Sequence, residues 1–207
     1  MADTLLDIAM MHSDALIARA RDGDSNAQGK LVQLWYKRIY NFCYKFFFDH
    51  DMATEVAQKT FISMFRNLPR LQEINRFRSW LYTIAVNNCR EELRRGKVRR
   101  AESLSEWSEG SGGVFDWEAA HRHENPDRAL RHAELTDLLH ECLLELNEDQ
   151  RAVLIMKEYE GLKFREIAEV LNISENTVKS RMYYGLDGMR KILEKKKITK
   201  ESIGYEL

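Results

Sequence analysis

The stretch Phe164-Arg-Glu-Ile-Ala-Glu-Val-Leu-Asn-Ile-Ser-Glu-Asn-Thr-Val-Lys-Ser-Arg-Met182 has the spacing of two short helices crossing at a tight turn. Ile167 and Ala168 fall on the inner face of the first helix, Leu171 precedes the turn, Ile173 lies in it, and Val178 and Met182 face inward on the second. Ala168 must be small where the helices cross. Asn172 suits a left-handed backbone better than any residue except glycine. Ser174 is placed to cap the second helix. This helix-turn-helix leaves an outer face of Glu175, Asn176, Lys179, Ser180, Arg181, Tyr183 and Tyr184, which can reach base edges and phosphates in a major groove. A helix-turn-helix alone says only that DNA is touched; a repressor would carry one too.

Working back along the chain, Leu130, Ala133, Leu135, Leu138, Leu139, Cys142, Leu143 and Leu146 predict a long amphipathic helix after Pro126. Asn147 then caps an element burying Val153, Leu154, Met156 and Tyr159, which Gly161 closes. Before Pro126, Ser103 to Asn125 is rich in Ser, Gly and Glu and reads as a linker. Its aromatic residues Trp107, Phe115 and Trp117 could dock on a domain or a partner, and its His121 and His123 read as solvated rather than as metal ligands. The first half predicts helices with faces Ala27, Leu31, Leu34, Trp35, Ile39, Phe42, Cys43 and Phe46, then Ala57, Phe61, Met64, Phe65 and Leu68 after a cap at Asp51 and before Pro69. A third runs from Phe77 through Trp80, Leu81, Ile84, Ala85, Cys89 and Leu93 to about Gly96.

With only two prolines in 207 residues and no alternating strand pattern, the fold class is all-α: two small helical domains joined by a flexible linker. The boundaries expected are an N-terminal extension at 1–25, a first domain at 26–100, an acidic linker at 101–128, the helix-turn-helix domain at 129–194 and a charged tail at 195–207. The three cysteines form no CxxC pair and read as core residues in a reducing compartment. No apolar run reaches the roughly 18 residues of a membrane span, and the acidic N-terminus does not read as a secretion signal, so a cytoplasmic location without membrane insertion is expected.

Charge is balanced overall, at 32 Lys+Arg against 33 Asp+Glu, yet segregated. From Arg66 to Arg100 basic residues outnumber Glu73, Glu91 and Glu92. From Ala101 to Ala120 Glu102, Glu106, Glu109, Asp116 and Glu118 stand without a cation. A cationic block followed by an anionic tether points to a surface for a polyanion.

The block Asp51-Met-Ala-Thr-Glu-Val-Ala-Gln-Lys-Thr-Phe61, with Phe65-Arg-Asn-Leu-Pro69, Phe77-Arg-Ser-Trp-Leu-Tyr-Thr-Ile-Ala-Val-Asn-Asn88 and Arg94-Arg95, closely resembles region 2 of bacterial RNA polymerase sigma factors. Leu146-Asn-Glu-Asp-Gln-Arg-Ala-Val-Leu154 and the helix-turn-helix resemble region 4. Both blocks occur in order with no region 3 between them, as in the small extracytoplasmic-function (ECF) group of the sigma-70 family. The resemblance implies a factor that binds RNA polymerase core through its β′ and β subunits, directs it to promoter DNA and promotes melting, without a cofactor and without catalysis of its own. It implies core binding by Glu55, Gln58, Phe61 and Phe65, although Phe61 fits a core position as well. It implies contact with the −10 element by Asn75, Arg76 and Phe77 in a loop and by Asn87, Arg94 and Arg95 on the following helix. Trp80 and Tyr82 could stack on bases, but Trp80 also has the spacing of a core residue. Contact with the −35 element is implied for Thr177, Lys179, Ser180, Arg181, Tyr183 and Tyr184. Family members are commonly held inactive by an anti-sigma partner, which the resemblance extends to this chain as an option.

The chain departs from the family pattern at Tyr183-Tyr-Gly-Leu-Asp-Gly188, where many members continue with basic residues. Fewer cations, the repulsion of Asp187 and the helix-weakening Gly185 and Gly188 predict a weaker or differently specified −35 contact with a flatter salt dependence. Two other classes compete. A free-standing regulator would use the helix-turn-helix but leave the Arg66 to Arg100 cluster idle, and a helical nuclease would need a metal-binding carboxylate cluster that the sequence does not display.

Overall fold

The computed structural model describes residues 13–103 and 126–198, which are helical without a strand. Asp24 opens the first long helix by accepting from the backbone N–H groups of Asn26 and Ala27. In the order met, α1 spans Asp14–Arg21, α2 Ser25–Phe47, α3 His50–Asn67 and α4 Phe77–Ser103. Asp49, not Asp51, caps α3 by accepting from the Met52 N–H at 2.9 Å; Asp51 sits in the first turn, where its charge favours the helix dipole. Residues 13–21, read as part of an extension, carry α1, whose Ile17 and Ala20 are buried in the first bundle. α4 continues past Gly96, since one interior glycine costs only about 1 kcal/mol and no proline follows.

The second block contains α5 (Pro126–Glu145), α6 (Glu148–Leu154), a π-helical turn (Ile155–Tyr159), α7 (Phe164–Leu171) and α8 (Glu175–Lys195). Asn147 caps α6 through the Gln150 N–H, as its sequence position predicts. Tyr159, expected to be buried, is exposed, because the π turn advances the chain by one extra residue and rotates the tyrosine outward. Gly161 follows at φ 64°, a left-handed backbone that glycine adopts without strain. The linker aromatics Trp107, Phe115 and Trp117 and the pair His121 and His123 lie outside the described residues.

The two blocks share a core. Leu31, Trp35, Ile39, Phe42 and Phe46 of α2 are continuous with Ala152, Val153, Ile155, Ile167 and Val178 of the second block. Cys43, Cys89 and Cys142 are all buried as free thiols. Phe48, at the C-terminus of α2, holds a left-handed φ of 54°, unusual for an aromatic residue. Its ring lies 3.9 Å from the ring of His140 on α5 and 5.8 Å, edge to face, from that of Tyr44 on α2, so a contact within the helix and one between blocks both brace this strained turn.

Burial in that stack lowers the His140 pKa to about 4 from its usual 6.5; Asp137 opposes the shift and Lys45 adds to it. The folded chain therefore keeps His140 neutral where the unfolded chain is protonated, and stability falls as pH drops from 6.5 toward 4. Glu160, whose pKa burial raises, works in the opposite sense. The expected result is that His140→Phe loses less of its urea midpoint than wild type between pH 7.5 and pH 5. Equal losses would show that the imidazole does not titrate as described.

Candidate nucleic-acid interface

The helix-turn-helix forms as its spacing predicts. The Lys163 N–H donates to Glu166 Oε2 at 2.6 Å to start α7, Asn172 takes φ 52° and ψ 50°, and Ser174 Oγ accepts from the Thr177 N–H at 3.1 Å to start α8. Val178 is fully buried, and Thr177, Lys179, Ser180, Tyr183 and Tyr184 are exposed. Thr177 is engaged at the cap, its Oγ1 2.8 Å from Ser174 Oγ. Arg181 is turned aside to pair with Asp149 of α6 at 2.7 Å, which removes it from the outer face.

Gly185 and Gly188 serve packing. A Cβ at Gly185 would stand 3.0 Å from Leu154 Cδ1, and one at Gly188 2.8 Å from Leu146 Cδ2, so α8 crosses α6 and the end of α5 at close range. Their cost in helix propensity is offset by that approach. Asp187 does not stand as bare repulsion either: it pairs with Lys191 at 2.8 Å and Arg190 at 2.9 Å, and the Lys191 ammonium is the main reason its carboxyl pKa is lowered.

In the first block, Asn75, Arg76, Asn87, Arg94 and Arg95 are exposed. Arg76 pairs with Glu73 at 2.8 Å, and Arg95 with Glu91 and, at 3.8 Å, Glu92. Phe77 is only 1% exposed, edge-on to Trp35 at 5.6 Å, so its ring belongs to the core and cannot stack on a base here. Tyr82 is likewise buried. Trp80 is half-buried: it packs on the core yet lines an open depression of about 340 Å³ together with Arg70, Gln72, Glu73, Arg76, Ser79, Thr83 and Glu169. Of the loop residues singled out by sequence, only Arg76 lines it. Gln72 was missed because a 3₁₀ turn at Ile74–Arg76 sets the loop's direction, and Ser79 and Thr83 on α4 were missed because only the tertiary fold brings Glu169 to that side of the helix.

On α3, Glu55 and Gln58 are exposed and Glu55 pairs with Lys59 at 2.6 Å. Phe61 is buried beneath Tyr36, with ring centroids 6.1 Å apart, whereas Phe65 is half-buried. Ile62, not singled out from sequence, is 51% exposed one turn beyond Gln58 and provides the apolar part of that face. It stands between Phe61 and Phe65, which carried the apolar part of the expected contact, and this made it easy to overlook.

Three acidic residues of the second block lie along α4. Tyr82 donates to Glu160 Oε2 at 2.5 Å, and the Arg78 guanidinium donates to the Glu160 carbonyl. Burial raises the Glu160 pKa; Tyr82 and the charges of Lys45, Arg38 and Arg78 restrain the shift. Asp149 bridges Arg90 of α4 at 2.5 Å and Arg181 of α8. Glu169 of α7 receives the Ser79 hydroxyl at 3.4 Å, and Thr83 donates to the Val170 carbonyl at 3.3 Å. One side of α4 from Arg78 to Arg90 is thus occupied, while Asn87, Arg94 and Arg95 point away to solvent. Among the described residues, no group of His, Cys, Asp and Glu could hold a metal ion, and no helix is long and apolar enough to cross a membrane.

Residues 31–99 match the family described as sigma-70 region 2, and residues 136–186 match sigma-70, region 4. The chain is 31% identical over 184 residues to the RNA polymerase sigma-H factor of Pseudomonas aeruginosa, covering 86% of this chain and 92% of that protein. It is 29% identical over 186 residues to the ECF RNA polymerase sigma factor SigW of Bacillus subtilis, covering 86% and 94%. Among solved structures, the sigma factor RpoE in complex with the anti-sigma factor NepR from Bartonella quintana has the same fold, with a TM-score of 0.62 at 18% identity over 80% of this chain and 96% of that one.

Proposed function

Because this chain belongs to the ECF group of the sigma-70 family, whose members are promoter-recognising factors for transcription initiation, we propose how its surfaces divide that work. The exposed face of α3, with Glu55, Gln58 and Ile62 and the edge of Phe65, docks on the β′ subunit of RNA polymerase core. The depression beside Trp80 takes an unpaired base of the −10 element, and Asn87, Arg94 and Arg95 carry the strand that leads from it. The outer face of α8 reads the −35 element. Residues 26–100 and 129–194 act as the two promoter-reading units, with 101–128 as their tether, in the cytoplasm where the polymerase works.

The observation that supports this reading best is the coexistence, on one chain, of a helix-turn-helix with a separate solvent-facing cationic edge on α4. A free-standing regulator needs only the first. Single-strand capture needs a stacking ring, amide or guanidinium groups for base edges and cations for phosphates, and Trp80, Gln72, Arg76, Arg94 and Arg95 provide them. Melting is then driven by preferential binding of one strand in open DNA. Glu169 lines the same depression and its carboxylate opposes a phosphodiester strand, so loading requires α7 to move off α4. An anti-sigma partner that holds the two blocks together would keep the chain inactive.

Titration of labelled protein with purified bacterial core RNA polymerase, followed by anisotropy without DNA, tests the assignment. Saturable binding at nanomolar concentration is expected. Absence of binding, with duplex DNA still bound by the protein alone, would favour the free-standing regulator.

A further inference from the structure

Building on the promoter-reading assignment of α8, we propose that Tyr183 and Tyr184 make this helix a reader of thymine methyl groups, so that it selects duplexes with adjacent A·T pairs at the −35 position. α8 turns its stripe of Val178, Met182, Gly185 and Met189 inward, which places Asn176, Ser180, Tyr183 and Tyr184 on the opposite side. The two tyrosines are 69% and 61% exposed, with ring centroids 5.6 Å apart and edge to face, and Leu186 beside them is 48% exposed. These are large apolar side chains at the centre of a surface that has to enter a groove.

Near the two tyrosines α8 carries Lys179 and Arg181, whereas Arg190, Lys191 and Lys195 lie further on, toward its C-terminal end. Arg181 pairs with Asp149, and Arg190 and Lys191 pair with Asp187. Lys179 remains on the outer face, with its Nζ 5.9 Å from the Phe164 ring. Guanine presents O6 and N7 acceptors that are best met by a cationic fork, whereas the thymine C5-methyl is the apolar group that the major groove offers. A face with paired rings and few available cations therefore fits methyls better than guanine edges. Two rings at successive positions can each cover one methyl, because neighbouring base pairs are separated by only about 3.4 Å. Each methyl so covered should contribute about fourfold in affinity.

The test begins with selection of duplexes from a randomised library by holoenzyme, meaning RNA polymerase core carrying this chain. Selected duplexes are then remade with deoxyuridine in place of each thymidine, which deletes only the methyl. Consecutive A·T pairs are expected in the selected −35 segment, with a loss of about fourfold for deoxyuridine at one or two positions. That sensitivity should persist in the double variant Tyr183→Phe with Tyr184→Phe and vanish in Tyr183→Ser with Tyr184→Ser, since both rings are exposed and their removal leaves the core intact. Holoenzyme that assembles but selects G·C runs, or is indifferent to deoxyuridine, overturns the proposal and leaves the sigma assignment standing. A chain that fails to assemble with core, measured separately without DNA, overturns the assignment beneath it.

Discussion

The double substitution Arg94→Ala with Arg95→Ala is expected to reduce open-complex formation by on the order of tenfold to a hundredfold while core binding stays unchanged. Both side chains are exposed on the edge of α4 that the second block leaves uncovered. Among described residues Arg95 pairs at the surface with Glu91 and reaches the buried Glu92 only at 3.8 Å, a carboxylate that Lys59 already holds at 2.9 Å. Pairs of that kind are worth at most about 1 kcal/mol, so thermal stability should barely move. The loss should instead appear where a single strand is held, with the slope of log affinity against log salt reduced by about 0.7 for each cation removed. Permanganate reactivity of unpaired thymines in the melted segment, measured with holoenzyme on a duplex it selects, reads the effect. If core affinity falls together with melting, the division of surfaces between α3 and α4 is wrong.

Arg151→Met is expected to destabilise the fold by about 2–4 kcal/mol, because backbone carbonyls at two helix ends lose their charged donor and each one left buried without a partner costs about 1–3 kcal/mol. Arg151 is 7% exposed, and its guanidinium donates to four backbone carbonyls: Leu143 at 2.9 Å, Leu144 at 2.7 Å and Leu146 at 3.1 Å, at and just beyond the end of α5, and Phe46 at 2.7 Å in the last turn of α2. The last carbonyls of a helix have no partner within it, so one side chain satisfies the ends of two helices, one in each block. It also lies 5.5 Å from the Phe46 ring. Methionine keeps much of the volume and removes every donor. For a chain of this size the melting temperature should fall by about 10 °C. Arg151→Lys, with one compact ammonium in place of a planar fork, should recover only part of it. A loss below about 1 kcal/mol would mean that water satisfies the carbonyls unaided.

Much of the candidate site was legible because it rests on local rules. Asn172 in a left-handed turn, Ser174 as a cap, Ala168 at the crossing and Val178 facing inward each follow from spacing within a few residues, and each is found in place. The cap at Asp49 instead of Asp51 shows the limit of the same rules. Both residues are suitable caps, and the choice goes with the left-handed turn at Phe48 that ends α2, where the ring packs on Tyr44 nearby and on His140 some ninety positions away. Gly185 and Gly188 show it again: propensity counts them as weak points, and only the nearness of the Leu154 and Leu146 methyls shows that a side chain at either position would require those leucines to shift.

By itself, the sequence determined the all-α class found in the described residues, where the helix-turn-helix begins and turns, and that a cationic block lies apart from it. Hydrophobic period, capping and charge are properties of neighbouring residues and survive without knowledge of the fold. Only the tertiary structure decided that Phe77 and Tyr82 belong to the interior, that Arg181 is held by Asp149, and that one side of α4 carries Glu160, Asp149 and Glu169 while the other faces solvent. Along its middle α4 is covered on more than one side, so its apolar stripe cannot tell which polar side will meet the second block. That choice is made by packing and ion pairs between residues 59 to 90 positions apart, a separation at which no periodic signal operates.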